Sequence, residues 1–524
     1  MEQLNIVSPA SQEESFVAAG TPIGNKPESP LLNKVHQNFG IYGFISLIFG
    51  LSFTFFFFKT WLGFNVFVFS LLIIILLCFI INKLSLRIKT GAKLYYIGVL
   101  LLGVSTCLTA NGVLQFLNIL GILFLLDLSL LHQFYENKHW DFAKHCGRMF
   151  GMIFYSFAAV GMPVIDGIKF LKSTRYLKND KVRNIIFGLI ISLPLLLIIT
   201  ILLSNADLVF GNITGNIFNT IFSADIFYII LMIIFGFFAC YCILCGALFN
   251  SGVEDNRIRT KANPTIAATF MVVLCLIYAL FCGIQLVFLF ADGLFALPAE
   301  FTFAEYARKG FFELLAVTFI NIVIMLICNA LFTESRLLRI LITCMTACTY
   351  IMIASAAYRM LLYIGAYHLT FLRLFVLLTL LIDAFVLTGI IILQYKKDFP
   401  LFRYCVVIIS VCYIAFSFAK PDYFIATYLA TQKEVLDQQD MAYLTRDLSL
   451  DAAPVVLPLI NELDRWTMNN TYDSEYDTRP VSLQDSIQDY SNRIANAKIN
   501  TGIRDFNYSY FKAGKLAGKY LKEY

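Results

Sequence analysis

The sequence predicts an all-α polytopic membrane protein of about 11 transmembrane helices, with a small helical extracytoplasmic domain at its carboxy-terminal side. Three observations predict it. Of 524 residues, 59% are apolar and only 14% charged, against roughly 45–50% and about 25% in soluble domains. The apolar residues gather into runs of roughly 20, the length that crosses a bilayer core at about 1.5 Å per residue. The scarce basic residues fall in alternate loops, as they do in proteins threaded through a membrane.

Residues 1–40 are polar, with Pro9, Pro22, Pro27 and Pro30 and the acidic Glu2, Glu13 and Glu14. They lack the basic and short apolar regions of a cleavable signal peptide. They read as a disordered cytoplasmic tail. Apolar runs then follow at 41–58, 62–81, 94–109, 113–131, 185–203, 227–249, 266–291, 311–332, 340–363, 374–394 and 404–418. A further run, 149–165, is short, broken by Gly151, Gly161 and Pro163, and flanked by basic residues on both sides.

The loops decide how that run is treated. With a cytoplasmic amino terminus and no crossing at 149–165, inside segments hold 23 Lys/Arg and outside segments 4: Lys59, Arg308, Lys309 and Arg373. A crossing there would flip every later loop and destroy the bias. The segment 149–184 therefore reads as a cytoplasmic, basic, interfacial or re-entrant stretch. The transmembrane bundle is residues 41–419, and 420–524 lies outside the cytoplasm. That last part carries 12 Lys/Arg against 15 Asp/Glu. It reads as four helices: one from Pro421 to about Leu436, one over 449–463 capped by Ser449 or Asp451, one from a Ser482 cap to about Ile499, and one over 511–524.

A net charge of +5, most of it in short loops, gives no nucleic-acid footprint. All 13 cysteines lie between Cys78 and Cys412, mostly inside apolar runs, so no disulfide framework is expected. There is no HExxH, GxSxG or phosphate-binding loop. His132, Glu136 and His139 share a helical face, but His145 and Asp141 fall on other faces, and Cys240, Cys242 and Cys245 do not share one. No metal and no cofactor is expected.

Several ordered stretches carry a resemblance. They are Glu305-Tyr306-Ala307-Arg308-Lys309-Gly310-Phe311; Leu362-Tyr363 through Tyr367, running to Leu369-Thr370-Phe371-Leu372-Arg373; Lys420-Pro421-Asp422-Tyr423; and Leu448-Ser449-Leu450-Asp451-Ala452-Ala453-Pro454. Together with Asn205-Ala206-Asp207-Leu208 they resemble a bacterial family of polytopic inner-membrane proteins known only as a domain of unknown function. The resemblance covers roughly residues 185–524 and implies a bacterial cytoplasmic membrane, with no substrate or reaction. His368 stands where the family usually has Gly.

The candidate polar site gathers Asp383, Arg359, Arg373, Glu305, Arg308 and Asp207. All but Asp383 fall at or near the outer face. Arginine forks there suit carboxylate or phosphate, and the alternative is that they pair locally and fix helix ends. Asp383 is mid-span, where a charge costs about 2.5–3.5 kcal/mol on insertion scales. It serves either as a proton or cation site or as a neutral acid bonded to Asn321 or Gln285. Three function classes remain: a transporter- or flippase-like carrier of a small or lipid-linked solute, a sensor or scaffold with an outer partner-binding domain, and an envelope enzyme. Beyond the lipid bilayer, no partner is specified.

Overall fold

The computed structural model describes residues 29–137, 140–173, 224–252, 261–290, 311–431, 442–460, 481–499 and 502–520, with three isolated positions between 188 and 199. The helices are α1 (Pro30–Gln37), α2 (Phe39–Phe57), α3 (Phe64–Lys83), α4 (Thr90–Leu108), α5 (Gly112–Phe134), α6 (Phe142–Ala158), α7 (Met162–Ser173), α8 (Ala224–Leu248), α9 (Pro264–Phe290), α10 (Phe311–Leu331), α11 (Arg336–Tyr367), α12 (Phe371–Tyr395), α13 (Leu401–Phe418), α14 (Pro421–Thr431), α15 (Val481–Ile499) and α16 (Tyr508–Tyr520). A short apolar helix, Leu450–Ile460, precedes α15. Among the described residues, β pairing is confined to one isolated bridge, Ala262–Phe332.

Eleven helical stretches among the described residues are long and apolar enough to cross a membrane. Helices satisfy every backbone group internally, which hydrocarbon demands. The chain is a multi-pass helical membrane protein. The expected run 185–203 lies outside the described residues, as does the tail over 1–28. The eleven instead include Phe142–Ser173, formed by α6, a short turn at Ala159–Gly161, and α7.

Contacts sort the helix termini into two ends. At one, the Ser29 and Ser251 hydroxyls meet at 2.7 Å, the Lys89 backbone N–H donates to Gln133, and Arg403 donates to Asn137 at 3.0 Å. This is the basic end, where most of the Lys/Arg-bearing loops gather. At the opposite end Lys59 pairs with Asp225 at 2.6 Å, joining the close of α2 to the start of α8.

Among the described residues, two apolar cores fill the bundle. One unites α1–α6 with α8, and the other unites α9–α14 with the carboxy-terminal helices. Helix α13 serves both, giving Phe402 and Val406 to the first and Leu401 and Cys405 to the second. The seam is polar: Ser105 and Ser417 hydroxyls lie 2.6 Å apart, and Asn118 accepts from Tyr413 at 2.8 Å and Ser417 at 3.1 Å. Between apolar helices in lipid, such bonds and close packing supply the association energy.

Helices α2 and α8 pack backbone against backbone. A Cβ on Gly50 would come 2.5 Å from the Ile233 carbonyl oxygen, and one on Gly236 would come 2.7 Å from the Gly50 Cα. Only glycine fits both positions. Gly50→Leu is expected to push the two helices apart and lower the melting temperature in detergent, and an unchanged melt would contradict the contact.

The carboxy-terminal region is helical, as expected, with adjusted boundaries. Pro421 does begin α14, and the Ser449 hydroxyl does accept a backbone bond, from Asp451 N–H at 3.3 Å. Helix α15 begins at Val481, so Ser482 lies inside its first turn rather than at the cap.

Candidate functional site

The described family-like stretches, 362–373, 420–423 and 448–454, converge at the end of the bundle opposite the basic one. Asp422, in the first turn of α14, is 1% exposed. Its Oδ2 accepts from Asn111 Nδ2 at 2.8 Å and from Ser449 N–H at 3.0 Å. Asp451 is buried beside it. Its Oδ2 accepts from the Thr109 hydroxyl at 2.5 Å and its Oδ1 from Ala110 N–H at 3.0 Å, with Lys420 Nζ 3.9 Å away. Two short acidic motifs thus hold the three-residue loop between α4 and α5.

The rest of the region seals this junction. Asn507 donates to the Thr109 carbonyl at 2.7 Å, Ser509 to the Leu108 carbonyl at 2.7 Å, and Lys420 to Ser509 at 3.0 Å. Arg493 on α15 donates to the carbonyls of Thr445, Arg446 and Leu448 at 2.6–3.0 Å. Residues 504–506 bond the start of α3 through Phe64 N–H and Asn65 N–H. Three polar atoms here have no partner among the described residues: Asp422 Oδ1 and the Tyr490 and Ser491 hydroxyls. Burial pushes the Asp422 carboxyl above the ordinary range and the Lys420 ammonium below it, with Asp451 opposing the second shift. A cleft of about 240 Å³ opens at the same junction, lined by Trp61, Ala110, Leu450, Arg493, Asn496 and Tyr510.

The sequence-derived candidates separate into three groups. Asp207, Glu305 and Arg308 lie outside the described residues. The two other arginines serve local bonds. Arg373 stacks 4.2 Å over the Tyr363 ring and donates to the carbonyls of Tyr367 and His368, closing the turn between α11 and α12. Arg359 is buried and donates to Gln285 Oε1 at 3.0 Å, where Ser355 donates as well at 2.6 Å.

Asp383 is different. It is half-buried on α12, at helical spacing from the buried Val376, Leu380, Leu387 and Ile390, so it shares the inward face of the helix. It is 12 residues from either end of α12. Among the described residues its carboxyl makes no hydrogen bond. Asn321 is engaged with Tyr278 and Thr349, and Gln285 with Ser355 and Arg359. Asp127 on α5 is a second such carboxyl: its Oδ2 is buried with no hydrogen-bond partner among the described residues, although Phe116, Leu120 and Leu123, at helical spacing from it, are exposed.

In the sequence Asp422 stands out only as part of a motif, and Asp451 only as a motif residue and candidate helix cap; neither is a site candidate there. The available signal was a carboxylate set against apolar neighbours in each motif, together with the polar Thr109-Ala110-Asn111 loop. No group of three His, Cys, Asp or Glu able to hold a metal occurs among the described residues.

His368 takes φ 62° and ψ 176° at the end of α11, a region that is essentially glycine's own. This accounts physically for glycine being usual there. His368→Gly is expected to raise stability by about 1 kcal/mol, read as a higher melting temperature in detergent; a lower one would contradict the strain.

The architecture and site define a polytopic helical membrane protein whose carboxy-terminal region is anchored on the bundle by buried carboxylates. Residues 96–459 match the family described as a domain of unknown function (DUF4153), and the chain belongs to that family. No curated protein and no solved structure matches it.

Proposed function

We propose that this chain is a proton-linked carrier, transporter- or flippase-like, handling a small or lipid-linked solute in a bacterial cytoplasmic membrane. Asp383 is the group that takes and releases the proton. One observation carries this reading: a mid-span carboxyl on the inward face of α12 with no hydrogen-bond partner among the described residues. An ionisable group kept at that depth is costly, and function is the usual reason for it. The 23-to-4 distribution of Lys/Arg supports a cytoplasmic amino terminus and an outer carboxy-terminal region.

A second reading rests on the cleft at the outer junction. There the carboxy-terminal helices serve as a sensor or scaffold, and Trp61, Tyr510 and Arg493 present the surface that a partner contacts. One comparison separates the two. Lipid and metabolite profiles are taken from cells lacking the protein and from cells carrying Asp383→Asn. The carrier predicts that Asp383→Asn reproduces the deletion profile. A wild-type profile in the Asp383→Asn strain overturns it and favours the sensor.

A further inference from the structure

Phe142–Ser173 has the length and hydropathy of a membrane span, yet its contacts run along one end of the bundle. At its start, Phe142 and His145 pack on Phe402 at the beginning of α13, the His145 ring stacked at 4.4 Å. In its middle, Tyr155 stacks on Phe249 at 4.5 Å, and Gly246 abuts the Ser156 backbone. Near its close, Phe170 meets Phe39 at the beginning of α2, and Asp166 accepts from Tyr241 at 2.8 Å and pairs with His36 of α1. Phe402, Phe249 and Phe39 all belong to the basic end. Tyr241 is seven residues from Leu248, the last residue of α8, so the deepest of these contacts reaches about 10 Å in from that end. A straight helix of this length crossing the membrane would touch the opposite end, and none of these contacts does. The contacts instead follow the bundle's rim on both sides of the 3-10 segment Ala159–Gly161 that separates α6 from α7.

The rim's outer side is apolar and basic together. Phe150, Phe154, Phe157, Val160, Val164 and Ile168 are exposed. Lys144, Lys169 and Lys172 stand at the two extremities, Lys144 over the Trp140 ring. An amphipathic stretch with apolar residues at shallow depth and lysines at its margins matches the boundary between acyl chains and headgroups. The lysines select the sign of the headgroup.

We propose that α6 and α7 form an interfacial collar that binds anionic phospholipid headgroups in the leaflet at the basic end. The partner is the bilayer surface itself, through its phosphate groups, and the collar's apolar side takes the adjoining acyl chains. Asp166, held by His36 and Tyr241, ties the collar to α1 and α8.

Two measurements on the full-length protein test this. A compartment-sensitive reporter inserted after Phe134 and, separately, after Ser173 of the full-length chain is expected to report the same side of the membrane. Opposite sides would mean that Phe142–Ser173 crosses, and would overturn the proposal. Purified protein is then mixed with equal amounts of dioleoyl phosphatidylglycerol and dioleoyl phosphatidylcholine, and retained lipids are counted by native mass spectrometry. Phosphatidylglycerol is expected to be preferred, and the preference is expected to fall about fivefold per lysine removed across Lys169→Gln, Lys172→Gln and Lys144→Gln. Lys169 and Lys172 are exposed, so their double variant keeps the fold, which an unchanged melting temperature verifies. Equal retention of both lipids by the wild type, or an unaltered preference in the folded variants, overturns the proposal.

Discussion

N,N′-dicyclohexylcarbodiimide, which reacts with protonated carboxyls in apolar surroundings, is expected to label Asp383 in the wild-type protein. Labelling should grow as pH falls and should vanish from that peptide in Asp383→Asn. The expectation follows from position. Asp383 is at the middle of α12, on the face that buries Val376, Leu380, Leu387 and Ile390, and its carboxyl has no hydrogen-bond donor among the described residues. A fully ionised carboxylate there costs about 2.5–3.5 kcal/mol on insertion scales. The acid is therefore held neutral or reached by water, and a carrier alternates between the two. Asp127 is the internal control. Its Oδ2 is also buried without a partner among the described residues, so it too is expected to take label, and the carrier reading expects Asp127→Asn, unlike Asp383→Asn, to leave the lipid and metabolite profile unchanged. Absence of label at Asp383 across the acidic range would place the carboxyl in bulk water or in a permanent ion pair. The proton-linked carrier would then have to be abandoned.

Much of the bundle was legible because lipid imposes a length. A run of roughly 20 apolar residues has few other uses, and the runs at 41–58, 113–131 and 404–418 each correspond to a helix with boundaries within a few residues. The stretch 142–173 was harder. Its hydropathy argued for a span and its flanking lysines against one, and only contacts with Phe402, Phe249 and Phe39 reveal the path it takes. The inward side of Asp383 was not legible either, because every face of α12 is apolar and periodicity is silent. The junction at the end opposite the basic one was the least legible. Asp451 and Thr109 are 342 residues apart, and nothing in either local pattern names the other. The motifs 420–423 and 448–454 identified the residues but not their shared partner, the α4–α5 loop. The candidates Asp207, Glu305 and Arg308 fall outside the described residues.

The two junction carboxylates should respond oppositely to substitution. Asp451 uses both oxygens, accepting from Thr109 and from Ala110, with Lys420 close by. Asp451→Ala strands two buried donors and a half-buried ammonium, and is expected to cost about 3–5 kcal/mol. The loss should register as a lower melting temperature and as faster hydrogen exchange at the Ala110 amide. Asp422 receives both of its bonds on one oxygen, and the other oxygen has no partner. Asp422→Asn keeps the accepting oxygen and removes the cost of burying a charge, so it is expected to be tolerated or mildly stabilising at neutral pH. The pH dependence has a definite sign. Burial raises the Asp422 pKa in the folded protein, so the folded state holds its proton more tightly than the unfolded chain. Stability is highest below the ordinary carboxylate pKa of about 3.9, falls as pH rises from there to the raised folded value, and stays at that lower level beyond it. Asp422→Asn lacks this loss. Its advantage over the wild type should therefore be present at neutral pH and disappear on acidification. If Asp422→Asn were instead as damaging as Asp451→Ala at pH 7, Asp422 would have to be a charged partner in the folded protein.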